Sequence, residues 1–158
     1  MIELNEVKEA LLSITDVSQL KDTDYGITFY YREAFTDLRL YAKESMISAR
    51  IEVTNSFKSP HEFNNDFDAE GVAKVVNLTT KTPCKTIFIE SKNSIGAFII
   101  RNISSDKLDV FAEGKLKEDS RGRNLKLTIM KMMLENFACY KELRVVVDKY
   151  KSGAKSES

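Results

Sequence analysis

The apolar positions along the chain change period several times, and each change marks an element. In "IELNEVKEALLSIT", Leu4, Val7, Leu11 and Ile14 recur at helical spacing with Ala10 beside them, which predicts a helix. "DVSQLKDTD" breaks that pattern, and "YGITFYY" follows with the β-branched and aromatic residues of a strand. "FTDLRLYAKESMISARIEV" supports two readings: Leu38, Ala42 and Met46 sit at helical spacing, whereas Leu38, Leu40 and Ala42 alternate like a strand. Its charged and small residues favour a helix from Thr36, as N-cap, to Ala49, with "IEV" as a last turn or a short strand.

"TNSFKSPHEFNNDFD" is polar and reads as a loop. After it, Val72, Val75, Val76 and Thr79 share one face of a short helix that carries Gly71 and ends before Pro83. The strands "KTIFIES" and "IGAFIIRNI" are joined hairpin-fashion through "KNS", and "KLDVFAEGKL" reads as a third strand. Leu125, Ile129, Met130, Met133, Leu134 and Phe137 form one broad stripe of a long helix. "ELRVVVDKY" has the continuous valine run of a strand buried on both faces. The expectation is an α/β fold, one domain over residues 1–150 with a single mixed central sheet flanked by helices. "KSGAKSES", residues 151–158, is expected to be a flexible polar tail.

Charge changes the picture little. Lys+Arg and Asp+Glu number 24 each among 158 residues, so no whole-protein field draws the chain to nucleic acid or an anionic membrane. No apolar run approaches the ~20 residues of a membrane span, and "MIELNEVKEA" is too charged for the apolar region of a signal peptide. A cytoplasmic protein is expected. Cys84 and Cys139 make neither a C-x-x-C nor a metal-ligand spacing and read as reduced thiols, with no metal site expected. His61, the only histidine, reads as an exposed loop residue. Met130, Met132 and Met133 read as core rather than a flexible partner groove, and the rings of "ITFYYREAF" as strand core rather than a base-stacking platform.

The candidate chemistry lies in "EDSRGRNLK". A helix N-terminus presents unpaired N–H groups and the positive end of its dipole. Two arginines and Gly122 precede a helix read as starting near Asn124, so Arg121 and Arg123 are candidates to pair with phosphate oxygens while Gly122 lets the chain bend close to a ligand. Three strands, this basic turn, a long helix and a valine-rich strand together resemble the core of the GNAT superfamily of acetyltransferases. "RGRNLK" would lie on that family's R/Q-x-x-G-x-G/A turn, with Arg121 first and Asn124 and Lys126 at the two small positions. "FYYREAFTDLRLYAKES" is similar to its opening strand and first helix. The resemblance runs from about Tyr25 to Tyr150, leaves the N-terminal helix as an extra, and lacks the family's last helix and strands.

The resemblance implies an acetyl-CoA-dependent N-acetyltransferase, with Leu116, Lys117, Arg121, Gly122, Arg123, Asn124, Leu125 and Lys126 around the cofactor. It implies an oxyanion donor in the backbone N–H near Leu116, Glu113 as general base with Glu118 next, and Tyr150 as acid for the thiolate. Asp37 reads as a helix start rather than a chemical group.

A second reading is non-enzymatic. If residues 26–54 form three strands, the chain reads helix, three strands, helix, three strands, helix, an order similar to that of the small type III secretion chaperones and related dimeric α+β modules. Those capture an extended partner segment by strand addition and apolar pockets. A degenerate acetyltransferase scaffold reused for protein binding lies between the two, and either would imply a protein partner or a homodimer. Residues 34–49 discriminate: a helix favours the enzyme, a hairpin the binding module.

Overall fold

The computed structural model describes residues 1–42, 48–57, 69–79, 85–89, 94–110 and 117–156. Helix α1 (Leu4–Leu12) is followed by β1 (Val17–Asp22), β2 (Gly26–Tyr31), β3 (Ala34–Tyr41) and β4 (Ser48–Ser56). Then come α2 (Ala69–Thr79), β5 (Lys85–Ile89), β6 (Ser94–Ser104), the short α3 (Ser105–Leu108) and α4 (Lys117–Ser156). The strands form one sheet in the order β1-β2-β3-β4-β6-β5, and every neighbouring pair is antiparallel. The α/β class and single sheet are as expected, but the sheet is antiparallel rather than mixed. The reason is that the segment read as its parallel strand, "ELRVVVDKY", belongs to α4.

Alternation decided residues 34–56. Ala34, Thr36 and Leu38 on β3 and Ala49, Ile51, Val53 and Asn55 on β4 are buried, while the residues between them are less so. That is period two, not 3.6, and it puts the two ends of the stretch expected to be a helix from Thr36 to Ala49 in antiparallel strands, residues 43–47 lying outside the described set. The hairpin before it turns on Arg32 and Glu33, with Arg32 at φ 54°. Neither residue is among the Gly, Asn and Asp that announce such turns. β1 also went unforeseen: it is bulged between Ser18 and Lys21, where Gln19 takes φ 57°, and shows no clean alternation.

At 40 residues, α4 is ~60 Å long. Leu125, Ile129, Met132, Met133, Phe137, Tyr140, Leu143 and Val147 are buried along it, a stripe that continues at helical spacing through the valines. Val145 stays 53% exposed beside fully buried Val147, so packing of one face overrode the strand preference of a valine run. The helix runs on through residue 156, into the segment expected to be a tail. The expected third strand, 107–116, is replaced at its start by α3, which holds Lys107 and Leu108; residues 111–116 lie outside the described set.

α4 lies over one face of the sheet. Asn136 reaches Asn55 of β4, Phe137 packs edge-on to Tyr31 of β2, and Glu135 pairs with Arg101 of β6. Asn136 Nδ2 donates to Asn55 Oδ1 at 2.8 Å and to the Ala97 carbonyl at 2.9 Å, and Asn55 Nδ2 donates to Thr36 Oγ1 at 2.7 Å. All three side chains are fully buried. Among the described residues no helix is long and apolar enough to cross a membrane.

Candidate functional site: the face of the sheet away from α4

The residues expected to form an anion-holding turn lie inside α4, one to three turns past its start. Their side chains are engaged with the protein itself. Arg121 Nε donates to Glu6 Oε1 at 2.6 Å, Nη1 to Asp109 Oδ1 at 3.1 Å, and Nη2 to the Met1 carbonyl at 3.2 Å. Asn124 Nδ2 donates to the carbonyls of Leu108 and Val110 at 2.9 and 2.7 Å, closing the C-terminal end of α3. Lys126 Nζ donates to the carbonyl of Ser13, the residue that caps α1. Leu125 is core, and Arg123 is exposed. This stretch ties α1 and α3 to α4, and its basic character serves carboxylates and helix-end carbonyls. A local sequence pattern of Arg, Gly and Asn carries no sign of whether the helix has already begun.

Lys117 and Glu118 belong to the first turn of α4, and Tyr150 to its later part, so Tyr150 is in a helix rather than at a strand end. Glu113 and Leu116 lie outside the described residues, as do His61 and Cys84. Cys139 is buried. Met132 and Met133 are core as expected, while the "ITFYYREAF" rings divide, Phe29 and Tyr31 buried and Tyr30 and Phe35 on the opposite face. Among the described residues no group of three His, Cys, Asp or Glu side chains converges as a metal site.

Two predictions arise from this tie. The hydrogen bond from Arg121 holds the Glu6 carboxyl below the ordinary glutamate value, against the opposing effect of burial. A depressed folded-state pKa stabilises above the unfolded value, and the gain is lost as the pH falls through the folded one. Glu6→Gln is therefore expected to flatten the loss of stability on acidification below the ordinary carboxylate range. Arg121→Ala should cost about 2 kcal/mol at neutral pH with no ligand present; urea titrations across pH read both effects. Gly122, by contrast, is dispensable: a Cβ there would meet nothing within 4 Å. Gly122→Ala should raise stability by about 0.5–1 kcal/mol, because helix-interior glycine carries an entropic cost. A loss on urea titration would show that the glycine has a role.

The face of the sheet away from α4 holds a different constellation. β4 supplies a floor of Glu52, Thr54 and Ser56; β3 supplies one wall of Phe35, Asp37 and Arg39. Ile87 and Ile89 of β5 and Phe98 of β6 form the other wall. All nine residues come from strands, and they enclose a groove of ≈ 330 Å³. Gly96, between Ser56 and Ile87 in the ladder, adds no side chain to it. A Cβ at that position would approach the Asn55 carbonyl to 2.8 Å and Thr54 Cγ2 to 3.3 Å.

Polarity is graded along the groove. Phe35, Ile87 and Ile89 surround the Ser56 end, and charged groups gather toward Glu52. Glu52 is paired with Arg50 at 3.3 Å, and Asp37 Oδ2 lies 3.5 Å from Arg39 Nη2. Asp37 Oδ1 is buried and has no hydrogen-bond partner among the described residues. The Asp37 side chain as a whole is 31% exposed. Asp37 was visible in the sequence but was assigned to the start of a helix that does not form.

The apolar wall left a usable trace in the sequence. Ile87, Phe88 and Ile89, and again Phe98, Ile99 and Ile100, are apolar at both parities, which in a strand means two apolar faces. Only one of those faces lies under α4.

The sheet edges are less open than this face. Asn77 of α2 lies beside edge strand β5, its Nδ2 donating to the Thr86 carbonyl and its Oδ1 accepting from the Thr86 N–H, both at 2.7 Å. The side-chain amide thus stands where a neighbouring strand would pair. The other edge, β1, carries the bulge at Gln19 and the Lys8–Asp22 ion pair at 3.0 Å. Comparison with protein-family models, with curated proteins and with solved structures finds no match.

Proposed function

We propose that this protein is a non-enzymatic binding module that holds a segment of another protein in the groove on the face of its sheet away from α4. The observation that carries the reading is a groove on the sheet that, among the described residues, is lined by strand side chains alone, four of them apolar. Apolar walls around a few convergent polar groups are the usual composition of a binding site. The strand pair at residues 34–56 adds support, although the order differs from the three strands on each side of the middle helix expected from the resemblance to the small type III secretion chaperones: among the described residues four strands precede α2 and two follow it. Strand addition, one of the modes the resemblance implies, is disfavoured at β5 by Asn77 and at β1 by its bulge.

The acetyltransferase reading has less support. It needs a loop to approach pyrophosphate where residues 121–126 are helical and Arg121 is engaged by Glu6 and Asp109. Acetyl-CoA at millimolar concentration is expected to leave the thermal unfolding midpoint unchanged. A rise of several degrees, the size expected of ligand well above its dissociation constant, would restore that reading.

The test of the binding module is site-specific photo-crosslinking in cells. A photoreactive phenylalanine analogue at Thr54, in the groove floor, should attach to another protein, whereas the same group at exposed Lys131 on α4 should not. Crosslinks from Thr54 to this same chain alone would make the face a dimer interface. No crosslink from Thr54 would remove the reading.

A further inference from the structure

Strand β5 is an edge of the sheet, and its sequence favours pairing with a further strand. Ile87, Phe88 and Ile89 are apolar in succession, with no proline or acidic residue from Lys85 to Ile89. Such a segment at a sheet edge is a template for another chain. Asn77 of α2 meets this edge as a strand would. Its amide donates to the Thr86 carbonyl and accepts from the Thr86 N–H, both at 2.7 Å.

The cover is lightly held. Among the described side chains of α2 only Ala69, Ala73 and Val76 are buried, while Val75 and Leu78 are 58% and 85% exposed. Asn77 is itself exposed, so water can replace it on Thr86. A helix that buries so little apolar surface belongs to the parts of a fold that open locally.

The register fixes what the edge would take. β5 and β6 pair without a bulge from Lys85 to Ile89, so backbone groups on the outer side recur every second residue. Those of Thr86 face Asn77, and those of Phe88 therefore lie on the same side. Two copies of β5 related by a two-fold axis at Ile87 set Thr86 of each chain opposite Phe88 of the other. Both of these are hydrogen-bonded pairs. Lys85 then lies opposite Ile89 rather than a second lysine, and Ile87 opposite its own copy. The strand is complementary to itself, which commits the edge to a second copy of this chain.

Asn77 decides whether that pairing is favourable. It gives Thr86 two hydrogen bonds in each chain, so two closed chains hold four. The paired strands would also make four, since each hydrogen-bonded residue pair exchanges two. The exchange is even, and the cost of association leaves the edge closed. Without the amide those bonds become a gain. We propose that Asn77 is a latch that holds α2 over the β5 edge, and that its release lets β5 pair with β5 of a second copy.

Sedimentation velocity of the full chain over a range of concentrations tests the latch, with circular dichroism to confirm that each variant is folded. Asn77→Ala should self-associate about tenfold or more tightly than wild type. Ile87→Lys added to it should abolish the association, because two lysines then meet on the axis. Mixing Asn77→Ala, Ile87→Lys with Asn77→Ala, Ile87→Glu should restore it as a mixed dimer. If Asn77→Ala does not fold, Asn77→Asp takes its place. A carboxylate keeps the bond from the Thr86 N–H and loses the one to the carbonyl.

A variant no more associated than wild type would overturn the latch. Association that Ile87→Lys leaves unchanged would be general aggregation and would overturn it too. So would a wild-type dimer that Ile87→Lys dissociates, because the edge would then be open with Asn77 in place.

Discussion

Gly26→Ala is expected to destabilise the protein by about 4 kcal/mol, among the largest effects of any single substitution. Gly26 opens β2 opposite Arg39 of β3. A methyl group there would overlap the Leu38 carbonyl oxygen and come within 2.9 Å of Arg39 Cα. Both neighbours are backbone, so no rotamer change relieves the contact. The strands must part in the row where Leu38 and Ile27 are fully buried. The turn into β2 would be disturbed as well, since Gly26 N–H donates to Thr23 Oγ1 and the Gly26 carbonyl accepts from Thr23 N–H. For a chain of this length the midpoint of thermal unfolding should fall by about 8–16 °C. A fall of only a degree or two would mean that the two strands do not lie this close.

Asn136→Ala should cost about 3 kcal/mol, combining a cavity under α4 with buried acceptors left unmet. The side chain donates to Asn55 Oδ1 and to the Ala97 carbonyl, and none of Asn136, Asn55 or Thr36 is exposed. Removing the whole set should cost less than removing one member, because paired apolar replacements leave no orphaned side-chain group. The triple variant Thr36→Val, Asn55→Leu, Asn136→Leu is therefore expected to be more stable than Asn136→Ala alone in urea titrations. If the single variant were nearly neutral, the network would not be what anchors α4 on the sheet. Asn136 Oδ1 and Thr86 Oγ1 remain unpartnered among the described residues.

That polar row also explains one failure of pattern reading. Thr36 and Asn55 occupy inward positions of β3 and β4, where a reader counting apolar residues expects Val or Ile. With those two positions polar, Leu38, Ala42 and Met46 looked as periodic as the true alternation. The Arg32–Glu33 hairpin removed the other cue, since no glycine or asparagine marks it. Where one face was wholly apolar, as along α1, α2 and residues 125–137, the helices were legible without difficulty. β2, β5 and β6 were likewise visible in their β-branched and aromatic runs.

The candidate site was legible only in pieces. The two-sided apolar runs at residues 87–89 and 98–100 and the carboxylate of Asp37 were in view, but nothing local joins residues 35–39, 52–56 and 87–98 into one groove. Arg121 and its neighbours drew attention for the same reason they misled. A guanidinium next to a glycine looks alike whether its partner is a phosphate or the carboxylate of Glu6, 115 residues away.

From its sequence alone this chain was determined to be a charge-balanced α/β protein with a helix at its start, a central hairpin of apolar strands and one long amphipathic helix. Those features depend on periodicity within a dozen residues, and local sterics and burial of one face suffice to set them. The tertiary structure alone decided that the valine run is helical, that the basic stretch is a structural tie, and that the second apolar face of β5 and β6 borders a groove. Each of these depends on which distant surface a residue meets, and that is decided by burial summed over the whole sheet rather than by the preference of any one segment.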